Sequence, residues 1–171
     1  EEVRAASITA VHLPRGGMPA LGDNPLFLGC ADYRSTIASN GESSGFTFPE
    51  EMRRHADKGT ALVTDKDPGN AEIAEVVSQA AAHSCIVLGT YNGHILQGQL
   101  RLAKALAATG LPMILVALRN PYDLRNMPNH VAALAGWEYT RPLFDALWPV
   151  LNGTARPTGK LPLLTLTKAA K

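Results

Sequence analysis

Residues 85–118 read CIVLGTYNGHILQGQLRLAKALAATGLPMILVAL. Two runs of strand length in this stretch, 86–89 and 113–118, are apolar throughout. Between them, residues 95–109 stack Leu96, Leu100, Ala103 and Ala107 at helical spacing, and Gly110 stops the pattern. A strand without polar alternation is one covered on both faces, so strand, helix and strand here read as a parallel βαβ unit.

The same grammar extends in both directions. Strand-length apolar runs recur at 26–30 and 61–64, with further strands expected at 131–135 and 161–166. Residues 70–82 place Ile73, Val76, Val77, Ala80 and Ala81 on one stripe, opened by Asp67-Pro68 or by Asn70 as cap. Thr47-Phe48-Pro49-Glu50 has the form of a capping box, after which Phe48, Met52 and Ala56 share a face. Residues 140–152 stack Phe144, Leu147, Trp148 and Leu151 and close at Gly153. The predicted fold class is α/β: a mainly parallel, doubly wound sheet of about five or six strands with helices on both faces, a three-layer sandwich. Residues 1–11, with Val3, Ala6 and Ala10 on one side, read as the tail of a helix, and 13–21 as a linker. The expected division is therefore 1–21 as entering helix and linker, and 22–171 as the α/β domain.

A chain of 171 residues that is 46% hydrophobic suits one domain with an adequate core. Sixteen basic and fifteen acidic residues leave a net charge of +1 with no basic stripe, so nucleic acid is not an expected partner. No apolar run approaches the roughly 20 residues that span a bilayer, and a membrane partner is not expected either. Cys30 and Cys85 each adjoin an apolar run without CxxC spacing, which fits small core residues and makes neither a zinc site nor a disulfide scaffold. No HxxxH or HExxH pairing indicates a metal, and no cofactor is expected.

In an open parallel sheet, ligands meet the carboxyl ends of the strands. Reading the residues that follow each predicted strand gives Asp32, Tyr33 and Arg34; Asp65, Lys66 and Asp67; Tyr91, Asn92 and His94; Arg119, Asn120, Tyr122 and Asp123; Trp137, Glu138 and Tyr139. This polar, aromatic edge suits a sugar, although solvated turns show the same composition. Two rivals are weaker. Gly89-Thr90-Tyr91-Asn92-Gly93 lacks the glycine spacing of either phosphate-binding loop, and Gly29-Cys30-Ala31 lacks the second glycine of a nucleophile elbow. Pro121 biases Asn120 to an extended conformation that aims Arg119 and Asn120 across the strand ends, where an Arg119–Asp123 pair is as good an expectation as sugar contact.

Three stretches together resemble the C-terminal domain of family 3 glycoside hydrolases. They are Ile86-Val87-Leu88-Gly89-Thr90-Tyr91-Asn92, Val116-Ala117-Leu118-Arg119-Asn120-Pro121-Tyr122-Asp123-Leu124, and Gly153-Thr154-Ala155-Arg156-Pro157-Thr158-Gly159-Lys160-Leu161-Pro162. Ser7-Ile8-Thr9-Ala10-Val11 is similar to the segment entering that domain, and Arg119-Asn120-Pro121-Tyr122-Asp123 points to the β-N-acetylglucosaminidase subgroup. The resemblance implies a retaining enzyme that removes terminal β-linked N-acetylhexosamine, with an aspartate nucleophile and a His–Asp acid/base pair on a separate barrel domain. It implies no catalytic residue in this chain. In the β-glucosidase relatives a glutamate on the loop after the corresponding strand serves as acid; here residues 90–94 carry no carboxylate. Tyr91, Asn92, His94, Arg119, Asn120 and Asp123 are then candidates for the substrate rim or the contact with the barrel. Two functions stay open: an accessory domain whose partner is the barrel, and an independent α/β module binding a carbohydrate or another small ligand.

Overall fold

The computed structural model describes residues 8–31 and 45–159. Six strands form one sheet: β1 (Thr9–His12), β2 (Pro25–Cys30), β3 (Thr60–Thr64), β4 (Cys85–Thr90), β5 (Met113–Ala117) and β6 (Val131–Ala135). Four α-helices accompany them: α1 (Phe48–Ala56), α2 (Asn70–Ala80), α3 (Gln97–Ala108) and α4 (Arg141–Leu151). The strand order is β1-β6-β5-β4-β2-β3, parallel except where β1 runs antiparallel to β6. This is the predicted fold class.

Alternation along the strands divides the core in two. Phe27, Val87, Ile114, Val116 and Leu134 face Phe48 and Met52 of α1 and Leu143, Phe144 and Leu147 of α4. Leu26, Leu28, Ile86, Leu88 and Leu115 face Ile73 and Val76 of α2 and Leu102, Ala103 and Leu106 of α3. Every residue of β2, β4, β5 and β6 is buried, as unbroken apolar runs require when helices cover both faces. β3 lies at the sheet edge, and Val63 is exposed there.

Local expectations fare differently. Thr47 caps α1 by accepting from the Glu50 N–H, but the Glu50 carboxylate takes the Thr47 hydroxyl rather than a backbone N–H, so half of the capping box forms. Helix α2 is capped by Gly69 without a side-chain bond; neither Asp67-Pro68 nor Asn70 is its cap. In α3 the buried stripe is Gly98, Gln99, Leu102, Ala103, Leu106 and Ala107, so Leu96 and Leu100 lie at its border. Thr140 caps α4 through the Leu143 N–H, and Gly110 and Gly153 adopt φ of +75° and +80° beyond the ends of α3 and α4.

Residues 9–12 are not the tail of a helix. Ile8, Thr9 and Val11 are β-branched, and the outer edge of β6 offers backbone partners to an extended segment, so β1 forms there with Thr9 opposite Ala135. The helix expected over 1–7 and the strand expected at 161–166 lie outside the described residues.

From β2 the chain steps outward to β3 on one side and then crosses back over β2 to β4 on the other, which puts the topological switch point between β2 and β4. Gly29 and Gly89 stand side by side in this pair. A Cβ on Gly89 would lie 2.5 Å from Phe48 Cδ1 and 2.9 Å from Leu118 Cδ1, so the paired glycines make the floor on which the fully buried Phe48 ring rests. On this face the crevice is filled by the protein itself.

Candidate functional site

The six predicted site residues fall on two adjoining loops at the carboxyl edge of the sheet. The first, 91–96, follows β4; Asn92 turns it with φ +57°, a conformation asparagine tolerates, and its carbonyl accepts from the Ile95 and Leu96 N–H groups. The second follows β5, where Asn120 is extended at φ −123° and ψ 119°, as a residue before proline should be. Its Oδ1 accepts from the Tyr122 N–H at 3.0 Å and opens a 3-10 turn over Pro121–Leu124.

Asp123 ties the loops together. Its side chain is 0% exposed, and its two oxygens accept from the Gly93 N–H at 2.9 Å and the His94 N–H at 2.7 Å. Consecutive N–H groups beside an αL residue make an anion nest, and here an internal carboxylate fills it. Gly93 suits this approach, because a Cβ would sit 3.2 Å from the Asp123 carboxyl and 3.1 Å from Leu100, and those side chains would have to give way by a few tenths of an ångström. The Arg119–Asp123 pair anticipated from sequence is not formed. Backbone donors take the buried carboxylate, and Arg119 Nη1 donates instead to Tyr91 Oη at 2.7 Å.

The candidates separate by exposure. Tyr91, Asn92 and Asp123 are buried supports, and the Tyr91 ring meets Tyr139 edge-on at 5.4 Å. His94, Arg119 and Asn120 face outward, flanked by exposed Ile95 and Tyr122, with the Arg125 guanidinium 4.2 Å from the Tyr122 ring centre. His94 Nδ1 is 3.4 Å from Asp123 Oδ1, and His94 Nε2 is 3.5 Å from Asn120 Nδ2. Outward the edge offers donors, one imidazole and an aromatic face, with no carboxylate on 90–94.

Gln99 is a residue that the strand-end pattern does not reveal. Buried in the first turn of α3, it accepts from the Tyr91 N–H and donates to the Tyr91 and Lys66 carbonyls, joining the loops after β4 and β3. A polar residue in register with Leu102, Ala103 and Leu106 is the available signal. Asp67 also joins two elements. Its Oδ1 accepts from the Gly98 N–H at 2.6 Å, and a Cβ on residue 98 would meet that oxygen at 2.5 Å. A carboxylate from the neighbouring loop therefore occupies the α3 N-terminus, the place a phosphate would take.

Other strand-end candidates are structural. Asp65 N–H donates to Glu72, Asp65 Oδ1 accepts from the Asp67 N–H, and Glu138 accepts from the Thr140 hydroxyl. Trp137 holds a φ of +71°, uncommon for a bulky residue, and packs partly buried on the α2/α3 side of the core. Asp32, Tyr33 and Arg34 lie outside the described residues. Cys30 and Cys85 are buried, and burial pushes the Cys85 thiol up to about 12, which leaves no nucleophile at Cys85. Among the described residues no three His, Cys, Asp or Glu side chains come together as a metal site, and no helix is long and apolar enough to cross a membrane.

No protein-family model and no curated protein sequence matches this chain. Solved structures do. A family 3 β-N-acetylglucosaminidase from a Paenibacillus species superimposes with a TM-score of 0.80 at 23% identity, over 94% of this chain and 31% of that one. A fungal multi-domain family 3 β-N-acetylglucosaminidase gives 0.68 at 17% identity, over 94% of this chain and 18% of its own. The β-glucosidase of Listeria innocua, in complex with isofagomine, gives 0.71 at 15% identity, over 91% and 25%. The fold of this chain is thus the fold of one part of much longer glycosidases, and the chain spans less than a third of each.

Proposed function

We propose that this chain is the C-terminal α/β domain of a family 3 glycoside hydrolase of the β-N-acetylglucosaminidase kind. In this reading it is an accessory to a catalytic barrel that removes terminal β-linked N-acetylhexosamine with retention. The observation that carries the reading is the match of 94% of this chain to only 31% of a family 3 β-N-acetylglucosaminidase. The Arg119-Asn120-Pro121-Tyr122-Asp123 run supports the same subgroup.

The chemistry of the edge agrees with an accessory role. Retaining hydrolysis uses two groups on opposite sides of the glycosidic bond, about 5–5.5 Å apart when both are carboxylates. Of the described carboxylates at this edge, Asp123, Asp67 and Asp65 accept backbone N–H groups and Glu138 accepts the Thr140 hydroxyl. Nucleophile and acid/base are therefore assigned to the barrel, and His94, Arg119 and Asn120 to the rim of the substrate cleft or to the contact between domains. The test is to read the coding sequence upstream of Glu1, express any barrel found there, and sediment it with this chain while following turnover of an aryl β-N-acetylglucosaminide. Association that raises turnover supports the proposal. No barrel upstream, or a barrel that ignores this chain, leaves the independent binding module as the better reading.

A further inference from the structure

We propose that Asn152 is an acceptor for an N-linked glycan, transferred from an oligosaccharide carried on a lipid pyrophosphate. Of the eight asparagines in the chain, only Asn152 is followed by a residue other than proline and then by serine or threonine, in Asn152-Gly153-Thr154. A triplet of this kind also arises by chance, so its placement decides what it can do. Helix α4 ends at Leu151, and Gly153 turns the chain away from it with φ +80°. Asn152, Gly153 and Thr154 are all exposed, and a Cβ on Gly153 would meet no atom within 4 Å. Transfer needs that open space, because the transferase and its donor must both reach the asparagine.

The side chains of the triplet are arranged for the reaction. Asn152 Oδ1 accepts from the Thr154 backbone N–H at 2.9 Å and from the Thr154 hydroxyl at 2.6 Å. The backbone donor fixes the amide with its oxygen toward Thr154 and its nitrogen away, and Nδ2 has no hydrogen-bond partner among the described residues. Two donors on Oδ1 draw charge toward the oxygen and make an Nδ2 proton easier to lose. In the transfer, Nδ2 bonds to the anomeric carbon of the donor sugar. The bond from that carbon to the pyrophosphate oxygen breaks, its electron pair leaves with the pyrophosphate, and a base on the transferase takes one Nδ2 proton. Nothing is oxidised or reduced. Thr154 Oγ1 also lies 3.2 Å from the Pro149 carbonyl, which holds the triplet against the last turn of α4. Because α4 begins beyond β6 at the carboxyl edge and runs back across the sheet, Asn152 emerges at the opposite edge from the loops after β4 and β5. A glycan there leaves His94, Arg119 and Asn120 uncovered. The site does not rest on the accessory function proposed above.

The experiment is to express the full chain behind a secretory leader in a eukaryotic cell, whose transferase carries the lipid-linked donor, and to weigh the secreted product. The expected result is one glycan per chain, removed by an N-glycanase that leaves aspartate at position 152 in the peptide map. Asn152→Asp should abolish the added mass; it keeps the oxygen that accepts from Thr154 and removes only the nitrogen, so the turn survives. Thr154→Ser, which keeps the hydroxyl, should retain the glycan, and Thr154→Val should lose it. The glycosylated chain should melt at the same temperature as the chain after N-glycanase. A secreted chain of unmodified mass, or a glycan that persists in Asn152→Asp, overturns the site. Loss of the glycan in Thr154→Ser, or its survival in Thr154→Val, overturns the role of the hydroxyl. A glycan that lowers the melting temperature overturns the claim that Asn152 stands clear of the fold.

Discussion

The hydroxyl of Tyr139, beyond the end of β6, accepts the backbone N–H of Phe48, the first residue of α1, at 2.7 Å. The same oxygen donates to the Cys30 carbonyl at the end of β2, 3.0 Å away. One phenol therefore satisfies a helix-terminal donor and a strand-terminal acceptor that the core hides from water.

Tyr139→Phe removes that oxygen and keeps the ring, which packs against Phe46, Tyr91 and Phe144. A buried N–H left without its partner costs about 1–3 kcal/mol. Urea denaturation should show a lower midpoint with an unchanged slope. A midpoint equal to that of the unmodified chain would mean that the phenol does not support α1.

Gly89→Ala introduces the Cβ that would meet Phe48 and Leu118. Overpacking of this kind costs about 1–3 kcal/mol. Combination with Phe48→Leu should recover part of the loss, because the two sites are in contact. Strict additivity in the same denaturation measurement would remove Phe48 as the cause.

The Glu51 carboxylate lies between Arg54 and Arg141, its side chain 9% exposed. Burial raises its pKa, but the hydrogen bonds and charges of the two guanidinium groups outweigh burial and hold it below the ordinary 4.5. A carboxyl depressed in the folded state contributes stability that is fully present above the unfolded value and is lost as pH falls through the folded one. Melting temperature should accordingly drop more steeply below pH 4.5 for the unmodified chain than for Glu51→Gln. Parallel pH profiles for the two would count against the Glu51 bridge between α1 and α4.

Replacing both Cys30 and Cys85 by alanine should cost only the packing of two small side chains, about 1–3 kcal/mol in total. With the Cys85 thiol pushed up to about 12, an aromatic disulfide reagent should label the native chain no faster than it unfolds. Rapid native labelling, or a reductant-dependent melting temperature, would contradict two buried thiols outside any disulfide.

The purified chain alone should not hydrolyse an aryl β-N-acetylglucosaminide, since residues 90–94 carry no carboxylate and Asp123 is closed to solvent. Turnover that disappears on mutation within this chain would reverse that assignment.

The fold is legible in the sequence because burial on both faces leaves a plain mark: 86–89 and 113–118 have no polar residue to misread. The site loops are legible for the same topological reason, since Tyr91, His94, Arg119 and Asp123 all follow predicted strands. Their partners are not. The sequence puts Arg119 and Asp123 within pairing reach, but only the folded loop shows the Gly93 and His94 N–H groups that claim the carboxylate first. Asp67 stands next to α2 in the chain and would open that helix by proximity, whereas it caps α3, because that helix terminus lies across the sheet edge. For a domain parted from a barrel an apolar face is expected from Val3, Ile8, Val11, residues 13–21 and the loops bearing Tyr91 and Tyr122. Ile8 and Tyr91 are instead in the core, whereas Leu13 and Tyr122 are exposed, as are Val63 and Ile95 among the described residues; Val3 lies outside them.

Strand β1 has a consequence for the order in which the chain assembles. Thr9 pairs with Ala135, so among the described residues the strand made first must wait for the one made last before the β1–β6 ladder can close. Loop-closure entropy disfavours so distant a pairing until β2 to β6 have brought β6 into place. During synthesis the β1 segment therefore stays unzipped while the parallel sheet grows, and the outer edge of β6 is open to any passing strand until β1 returns to cover it. In refolding, protection of the β1 amides against hydrogen exchange should be the last to appear.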